Sequence, residues 1–327
     1  MSNKPDISVI VPCYNAGRYL SVCLESLRAQ RTPEMEFIFI DDGSTDATGA
    51  LLDGFAREEP RARVTHVKNA GMSAARNLGL SMARGRYIAF ADADDALEEE
   101  SLSRLYQLAV RSGAQIVSAN HTLFDMNENR RVPVNIEPVV QQPLEIAREI
   151  IHMHRIYNKL WNKLYDRALF EGGLTLDENV RIGEDALLNL QLYLRVRHVD
   201  HLQESTYVYR VHRESAMASI RGYSQAHQPM LRGMDGILRR EGVKALYFRD
   251  FLQSCVWIDE KEKGIRACMR TFNATIRPLV LGGVDAALVP QKDRRLYAIV
   301  AGGYFPLFYQ AMRVREKLTG KRWGIRR

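Results

Sequence analysis

The sequence predicts an α/β fold with a mostly parallel central sheet flanked by helices, followed by a helical C-terminal region. Three observations carry this. Short β-branched runs recur between Ile7 and Ala119. Segments of helical spacing separate them, and strands joined by helix-length crossovers build βαβ units and parallel sheets. From Gly222 onward the spacing is helical, without a strand pattern.

Taken in order, Ser8 to Pro12 is a strand, and the next segment places Leu20, Cys23, Leu24 and Leu27 on one helical side. Glu36 to Ile40 is a second strand with Asp41-Asp-Gly-Ser-Thr45 at its exit, and Ala50, Leu51 and Phe55 give Asp46 to Arg57 a helical stripe. Then come strand Val64 to Val67, helix Ser73 to Arg84, strand Tyr87 to Ala91, helix Ser101 to Arg111 and strand Gln115 to Ala119. Asp125 to Gln142, polar and interrupted by Pro133 and Pro138, reads as an irregular connection. Leu144 to Phe170 reads as largely helical, Gly172-Gly173 breaks it, and a helix resumes after Gly183-Glu-Asp185. Helices are expected at Met230 to Arg239, Lys244 to Trp257 and Ile265 to Arg277. The expected organisation is a domain over 1–220, divided near residue 120, and a helical region over 221–327.

Composition narrows the class. With 327 residues, 46% hydrophobic and 26% charged, the chain is ordinary globular protein, neither disordered nor fibrous. The net charge of +7 is uneven. Arg313, Arg315, Lys317, Lys321, Arg322, Arg326 and Arg327 face only Glu316 after Gly303, so the body is near neutral. Cys13, Cys23, Cys255 and Cys268 form no CxxC pair, which makes a reduced, cytoplasmic protein the expectation. The apolar run Ile7 to Val11 is too short for a signal core. Tyr297 to Met312 carries no charge but falls short of the about 20 apolar residues of a spanning helix.

The polar clusters carry the chemistry. Parallel sheets bind ligands beyond the carboxyl ends of their strands, which is where Asn15, Asp41, Asp42, Asp92, Asp94 and Asp95 fall. Asp92 and Asp94, one residue apart after a strand, suit a hard cation that also takes phosphate oxygens. The plainer reading is that Asp94 or Asp95 caps the following helix. With Asp46 the edge gathers six carboxylates, and their repulsion calls for a cation or a hydrogen-bonding ligand. A calcium loop is excluded, because Leu97 and Ser103 stand where it needs Gly and Glu.

Five segments in order resemble the family 2 glycosyltransferases: Ser8-Val-Ile-Val-Pro-Cys-Tyr-Asn15, Asp41-Asp-Gly-Ser-Thr-Asp46, Asn69-Ala-Gly-Met-Ser-Ala-Ala-Arg-Asn77, Gly85 to Asp95, and Gly183-Glu-Asp185. The resemblance spans roughly Ile7 to Ser215. It implies the GT-A fold and inverting transfer from a nucleotide-activated sugar. On that resemblance Pro12, Tyr14 and Asn15 line the base and ribose pocket, and Asp42 takes the uracil N3–H with Asp41 and Ser44 in support. Asn69, Gly71 and Arg76 lie over the nucleotide, Asp92 with Ala93 reaches the ribose, and Asp94 binds Mn²⁺ or Mg²⁺ across the diphosphate. Asp185 is the general base, with Glu184 as the alternative carboxylate or an acceptor contact. A capped helix with acidic residues in its first turn is the plainer reading of that pair. His212 completes the metal shell or is merely exposed, and Arg210 or Arg213 meets the diphosphate. Trp161 and Lys163 contact sugar or acceptor, although Trp161 at helical spacing from Leu164 and Tyr165 equally suits a core position.

The expected partners follow from the resemblance: a UDP-sugar donor and a lipid-linked glycan acceptor of capsule, exopolysaccharide or lipopolysaccharide type. The processive members' Gln-x-x-Arg-Trp motif is missing, since Lys321-Arg-Trp323 lacks the Gln, so a single addition is expected. Tyr304, Phe305, Leu307, Phe308, Tyr309 and Met312 ahead of the basic tail resemble an interfacial anchor, placing the protein peripherally on the cytoplasmic face of the inner membrane. A helix packed on the domain is the alternative, and no specific nucleic-acid module is present. Two rival functions stand beside the transferase. A phosphohydrolase would use Asp92 and Asp94, but Ala96 departs from its pattern. A catalytically silent nucleotide-sugar-binding or scaffold protein would bind UDP without turnover.

Overall fold

The computed structural model describes residues 5–31, 34–136, 141–152, 155–212, 214 and 223–309. They form two compact units, Met1–Ala147 with Arg155–Ser219 and Arg148–His154 with Ile220–Arg327.

The first unit is built on a nine-stranded sheet. Strands β1 (Ile7–Cys13), β2 (Met35–Asp41), β3 (Ala62–His66) and β4 (Tyr87–Phe90) run parallel, in the order β3-β2-β1-β4. β1 and β2 are buried almost throughout, as parallel strands covered on both faces must be. Val9, Val11, Cys13, Phe37 and Phe39 pack on one face against Leu20, Cys23, Leu24 and Leu27 of α1 (Leu20–Arg28) and Leu52 and Phe55 of α2 (Thr48–Glu58). Ile38 and Ile40 point the other way, toward Ala75 and Leu78 of α3 (Met72–Met82). Because the strands are parallel, the ends of β1, β2 and β4 share one edge of the sheet.

Beyond β4 the sequence reading needs revision. Neither Asp94 nor Asp95 caps the next helix: the short strand β5 (Ala96–Leu97) intervenes, and α4 (Ser101–Ser112) starts after Glu100 with no side-chain cap. The supposed irregular connection holds β7 (Arg130–Val134), folded back on β6 (Ile116–Asp125). Asp125 Oδ1 accepts the amides of Asn127 and Glu128 and closes that turn, and Pro133 is tolerated because β7 pairs with β6 alone.

The expected long helix over Leu144 to Phe170 is α5 (Pro143–Ile151), α6 (Arg155–Asn158) and then a strand, β8 (Lys163–Asp166). β8 lies between β4 and β6, antiparallel to both. Asn162 turns the chain into it at φ 55°, a conformation that Asn tolerates and that sequence spacing does not announce. After α7 (Glu184–Arg195), β9 (Val199–Val211) runs parallel to β6 with irregular register at Ala119–His121. The polar stretch His201 to Thr206 hides β9 from pattern reading. The fold class stands; its parallel pairings are the longest, and β8 supplies the antiparallel core of the other half.

The second unit is helical: α8 (Tyr223–Arg240), α9 (Phe248–Leu281), broken at Gly264 with φ 73°, and α10 (Arg294–Ala301). The basic tail from Arg313 lies outside the described residues. Among the described residues no helix is long and apolar enough to cross a membrane.

The amino ends of β1 and β2 are tied by a polar knot. Ser8 Oγ donates to Glu36 (2.6 Å), Arg84 forks onto the same buried carboxylate (2.9 and 3.0 Å), and the amide of Gly85 donates to Ser8 Oγ (2.8 Å). A Cβ on Gly85 would stand 2.5 Å from the Ser8 amide nitrogen and 2.7 Å from the Ile7 carbonyl carbon. Backbone cannot yield as a side-chain tip does, so Gly85→Ala should cost about 3 kcal/mol, measured by urea unfolding. A parent-like midpoint would show that the strand ends move apart freely.

Candidate active site

Two loops knit together where β1 and β2 end. Asn15, at φ 47°, donates its amide to Ser44 Oγ (3.0 Å) and accepts the Thr45 amide on Oδ1 (2.8 Å). Asp46 accepts the Gly17 and Thr48 amides, both at 2.9 Å. Pro12 is half-buried, whereas Tyr14 is exposed beside this junction. Asp41 and Asp42 are both buried but serve different partners. Asp41 accepts the Ser44 amide (3.1 Å) and meets His66 Nδ1 (2.8 Å). Asp42 accepts the amides of Ala70 (2.7 Å) and Gly71 (2.8 Å), so the exposed Asn69–Gly71 turn is anchored on it. Asp42 therefore gains its support from that turn, while Ser44 serves Asn15 and Asp41.

His66 was not apparent from sequence. Its other nitrogen lies 3.1 Å from Asp53, and hydrogen bonds to the two carboxylates raise its pKa. Burial pushes Asp41 upward, but the Ser44 and His66 hydrogen bonds bring it below the usual carboxylate range.

The exit of β4 separates three aspartates. Asp95 is buried; it accepts the Tyr207 hydroxyl (2.8 Å) and the Arg210 amide (2.8 Å). Burial, then the charges of Asp92 and Asp94, hold it well above the carboxylate range. Tyr207 also accepts the Asp92 amide (3.0 Å), so one phenol fixes both ends of the turn. Asp94 is half-exposed, with Oδ2 3.0 Å from His212 Nε2. His212 is buried against the Tyr19 ring, so the reading of an exposed histidine is set aside. Arg210 places its guanidinium on the carbonyls of Asp94 (3.0 Å) and Tyr19 (3.2 Å). Arg213 lies outside the described residues. Ala93 is buried and offers only its backbone.

Arg76 stands at the centre. It is 2% exposed, and its guanidinium joins Asp92 (2.8 Å), Asp185 (2.9 Å) and Glu184 (3.2 Å). The expectation places it over the nucleotide; in the structure its side chain is buried among carboxylates. Burial would lower its pKa, yet Asp185, Asp92 and Glu184 together raise it. Glu184 and Asp185 open α7 after Gly183 at φ 84°, without a side-chain cap. Burial and then the adjacent Asp185 charge push Glu184 up to about 8.

Two expected contacts retreat into the interior. Trp161 is buried, stacked on Tyr207 (4.7 Å) and Tyr209 (5.4 Å) with the His121 ring at its edge, which makes it core rather than a sugar platform. Lys163 is 1% exposed; its ammonium donates to the Lys159 carbonyl (2.6 Å) and Asn162 Oδ1 (3.2 Å). Burial brings it down to about 7 against the attraction of Asp185. Lys163 is enclosed as the first residue of β8, and Trp161, two residues ahead of that strand, is enclosed by its stack on Tyr207 and Tyr209 of β9.

Comparison with known proteins shows the family of the chain. The model of glycosyl transferase family 2 matches residues 8–174, just over half of the chain. The chain belongs to glycosyl transferase family 2. It is 35% identical over 211 residues to the uncharacterized glycosyltransferase EpsJ of Bacillus subtilis (strain 168), covering 63% of this chain and 61% of that protein. The chain thus spans about three-fifths of that relative's length. S. aureus TarS 1-349 in complex with UDP-GlcNAc superposes with TM-score 0.69 at 20% identity, over 97% of this chain and 93% of that one. Mannosyltransferase PcManGT from Pyrobaculum calidifontis, in complex with GDP-Man and Mn²⁺, gives 0.50 at 17% identity, over 98% and 89%. These two likenesses are of fold.

A family 2 site raises the question of a metal. Among the described residues no group of three or more His, Cys, Asp or Glu side chains is placed to hold a metal ion. Asp94 and His212 do meet, and a carboxylate beside an imidazole suits a divalent ion that takes its other ligands from diphosphate and water. The donors present fit such an ion.

The raised Glu184 makes a pH prediction. The folded chain holds a proton on Glu184 that the unfolded chain releases near pH 4.3, so stability falls as pH rises from there to about 8. Glu184→Gln should flatten melting temperature across that window. An unchanged slope would place the titration on another group.

Proposed function

We propose that the chain is an inverting glycosyltransferase that moves one hexose or N-acetylhexosamine from a UDP-sugar to a hydroxyl of a growing surface glycan. The single observation that supports it best is Arg76, which holds the carboxylate at the β4 exit and the pair at the start of α7 on one guanidinium. Donor-side and acceptor-side groups are thereby kept within one side chain's reach.

In this reading Pro12, Tyr14, Asn15 and the Asn69–Gly71 turn receive the nucleotide, with Asp42 at the base and Asp92 at the ribose. Asp185 is the general base: it takes the acceptor hydroxyl's proton as that oxygen bonds to the anomeric carbon. The bond from that carbon to the diphosphate breaks on the opposite face, its electron pair leaves with UDP, and the configuration inverts. Glu184, protonated near neutral pH, offers the acceptor a hydrogen-bond donor instead. A Mn²⁺ or Mg²⁺ held by Asp94 and His212 would neutralise the charge developing on the leaving diphosphate. The acceptor is read as a lipid-linked glycan of the cell envelope, and the protein as cytoplasmic and peripheral on the inner leaflet through its basic tail.

A panel of UDP-sugars with Mn²⁺, scored for slow UDP release against a chelator control, tests the activity. One donor should stand out. A flat panel with UDP still bound would favour the silent binding protein. Asp185→Asn should lower turnover about 1,000-fold while UDP affinity, by calorimetry, stays within a few-fold of the parent. Retained turnover would remove Asp185 as the base.

A further inference from the structure

We propose that Tyr19 is a positioning residue for the metal-binding imidazole, holding His212 against Asp94 before any ion or nucleotide arrives. The inference rests on the reading of Asp94 and His212 as the metal pair. Tyr19 immediately precedes α1, and its ring lies 3.9 Å from the His212 ring, centroid to centroid, at 24° between planes. Its hydroxyl donates to Glu214 (2.9 Å), two residues past His212, and Arg18 pairs with the other oxygen of the same carboxylate (3.0 Å). Its carbonyl accepts from Arg210, whose guanidinium also takes the Asp94 carbonyl. The residues before and after His212 are therefore tied to the start of α1, and the imidazole plane is set by the stack.

A ring nitrogen points at a shared ion only if the ring cannot turn, and groups that orient ligands in this way typically govern metal affinity. Tyr19 also follows directly on the loop carrying Tyr14 and Asn15. Nucleotide pocket and metal pair are thus joined by a rigid strap instead of two independent loops.

The test is calorimetric, with UDP as probe, in Mn²⁺ and in EDTA. Tyr19→Leu, which loses both stack and hydrogen bond, should weaken UDP uptake in Mn²⁺ about ten-fold and leave uptake in EDTA unchanged. Tyr19→Phe, which keeps the stack, should recover most of the loss. The exposed Glu214→Ala, which leaves the core intact, should give an intermediate value and serves if Tyr19→Leu melts early. Equal losses with and without metal, or a parent-like Mn²⁺ enhancement in Tyr19→Leu and Glu214→Ala, would overturn the inference. Asp94→Asn in parallel separates the two layers: if it too keeps the enhancement, the metal pair itself is wrong.

Discussion

A buried guanidinium holds the first unit's polar edge together. Arg76 is carried by α3, Asp92 by the exit of β4, and Glu184 and Asp185 by the first turn of α7. A charge removed from water must be paired, and breaking such a pair costs far more than its net contribution to stability. Three carboxylates on one cation leave a local excess of negative charge. Part of that excess is absorbed by the proton that Glu184 retains near neutrality.

The same bookkeeping explains the rest of the edge. Six carboxylates there look untenable from sequence, yet the chain itself answers most of the repulsion. Asp41 has His66, Asp42 and Asp46 have backbone amides, Asp95 has a phenol and an amide, and Asp94 has an imidazole. Only Asp94 combines partial exposure with a partner that also ligates metals. The acidic edge is therefore graded, from carboxylates that shape loops to one that is offered outward.

How much of this was legible depended on whether the signal was local. The first four strands and their helices were readable, because β-branched runs between helical stripes are short-range patterns. The motif residues of the β1, β2 and β4 exits could be placed for the same reason. β8 was misread as helix, since Trp161, Leu164 and Tyr165 fit helical spacing as well as they fit a fully buried strand. The burial of Lys163 went unseen with it, and for Trp161 the core alternative is the one its burial favours. Tyr19, His66 and Tyr207 were invisible because their partners lie 195, 25 and 112 residues away. A histidine in a charged sequence, or a tyrosine before a helix, carries no mark of a partner that distant.

The place of β8 has a bearing on how this chain is made. It pairs with β4 on one side and β6 on the other, yet it leaves the ribosome more than seventy residues after β4. Until then β4 has a bare outer edge, an open template for pairing with another chain. The half built on β1 to β4 therefore completes its sheet only by capturing a latecomer, a non-local closure of the kind that slows folding. Truncations that stop short of Asp166 would release a sticky half-sheet, so the two halves of the first unit are one cooperative piece in synthesis as well as in chemistry.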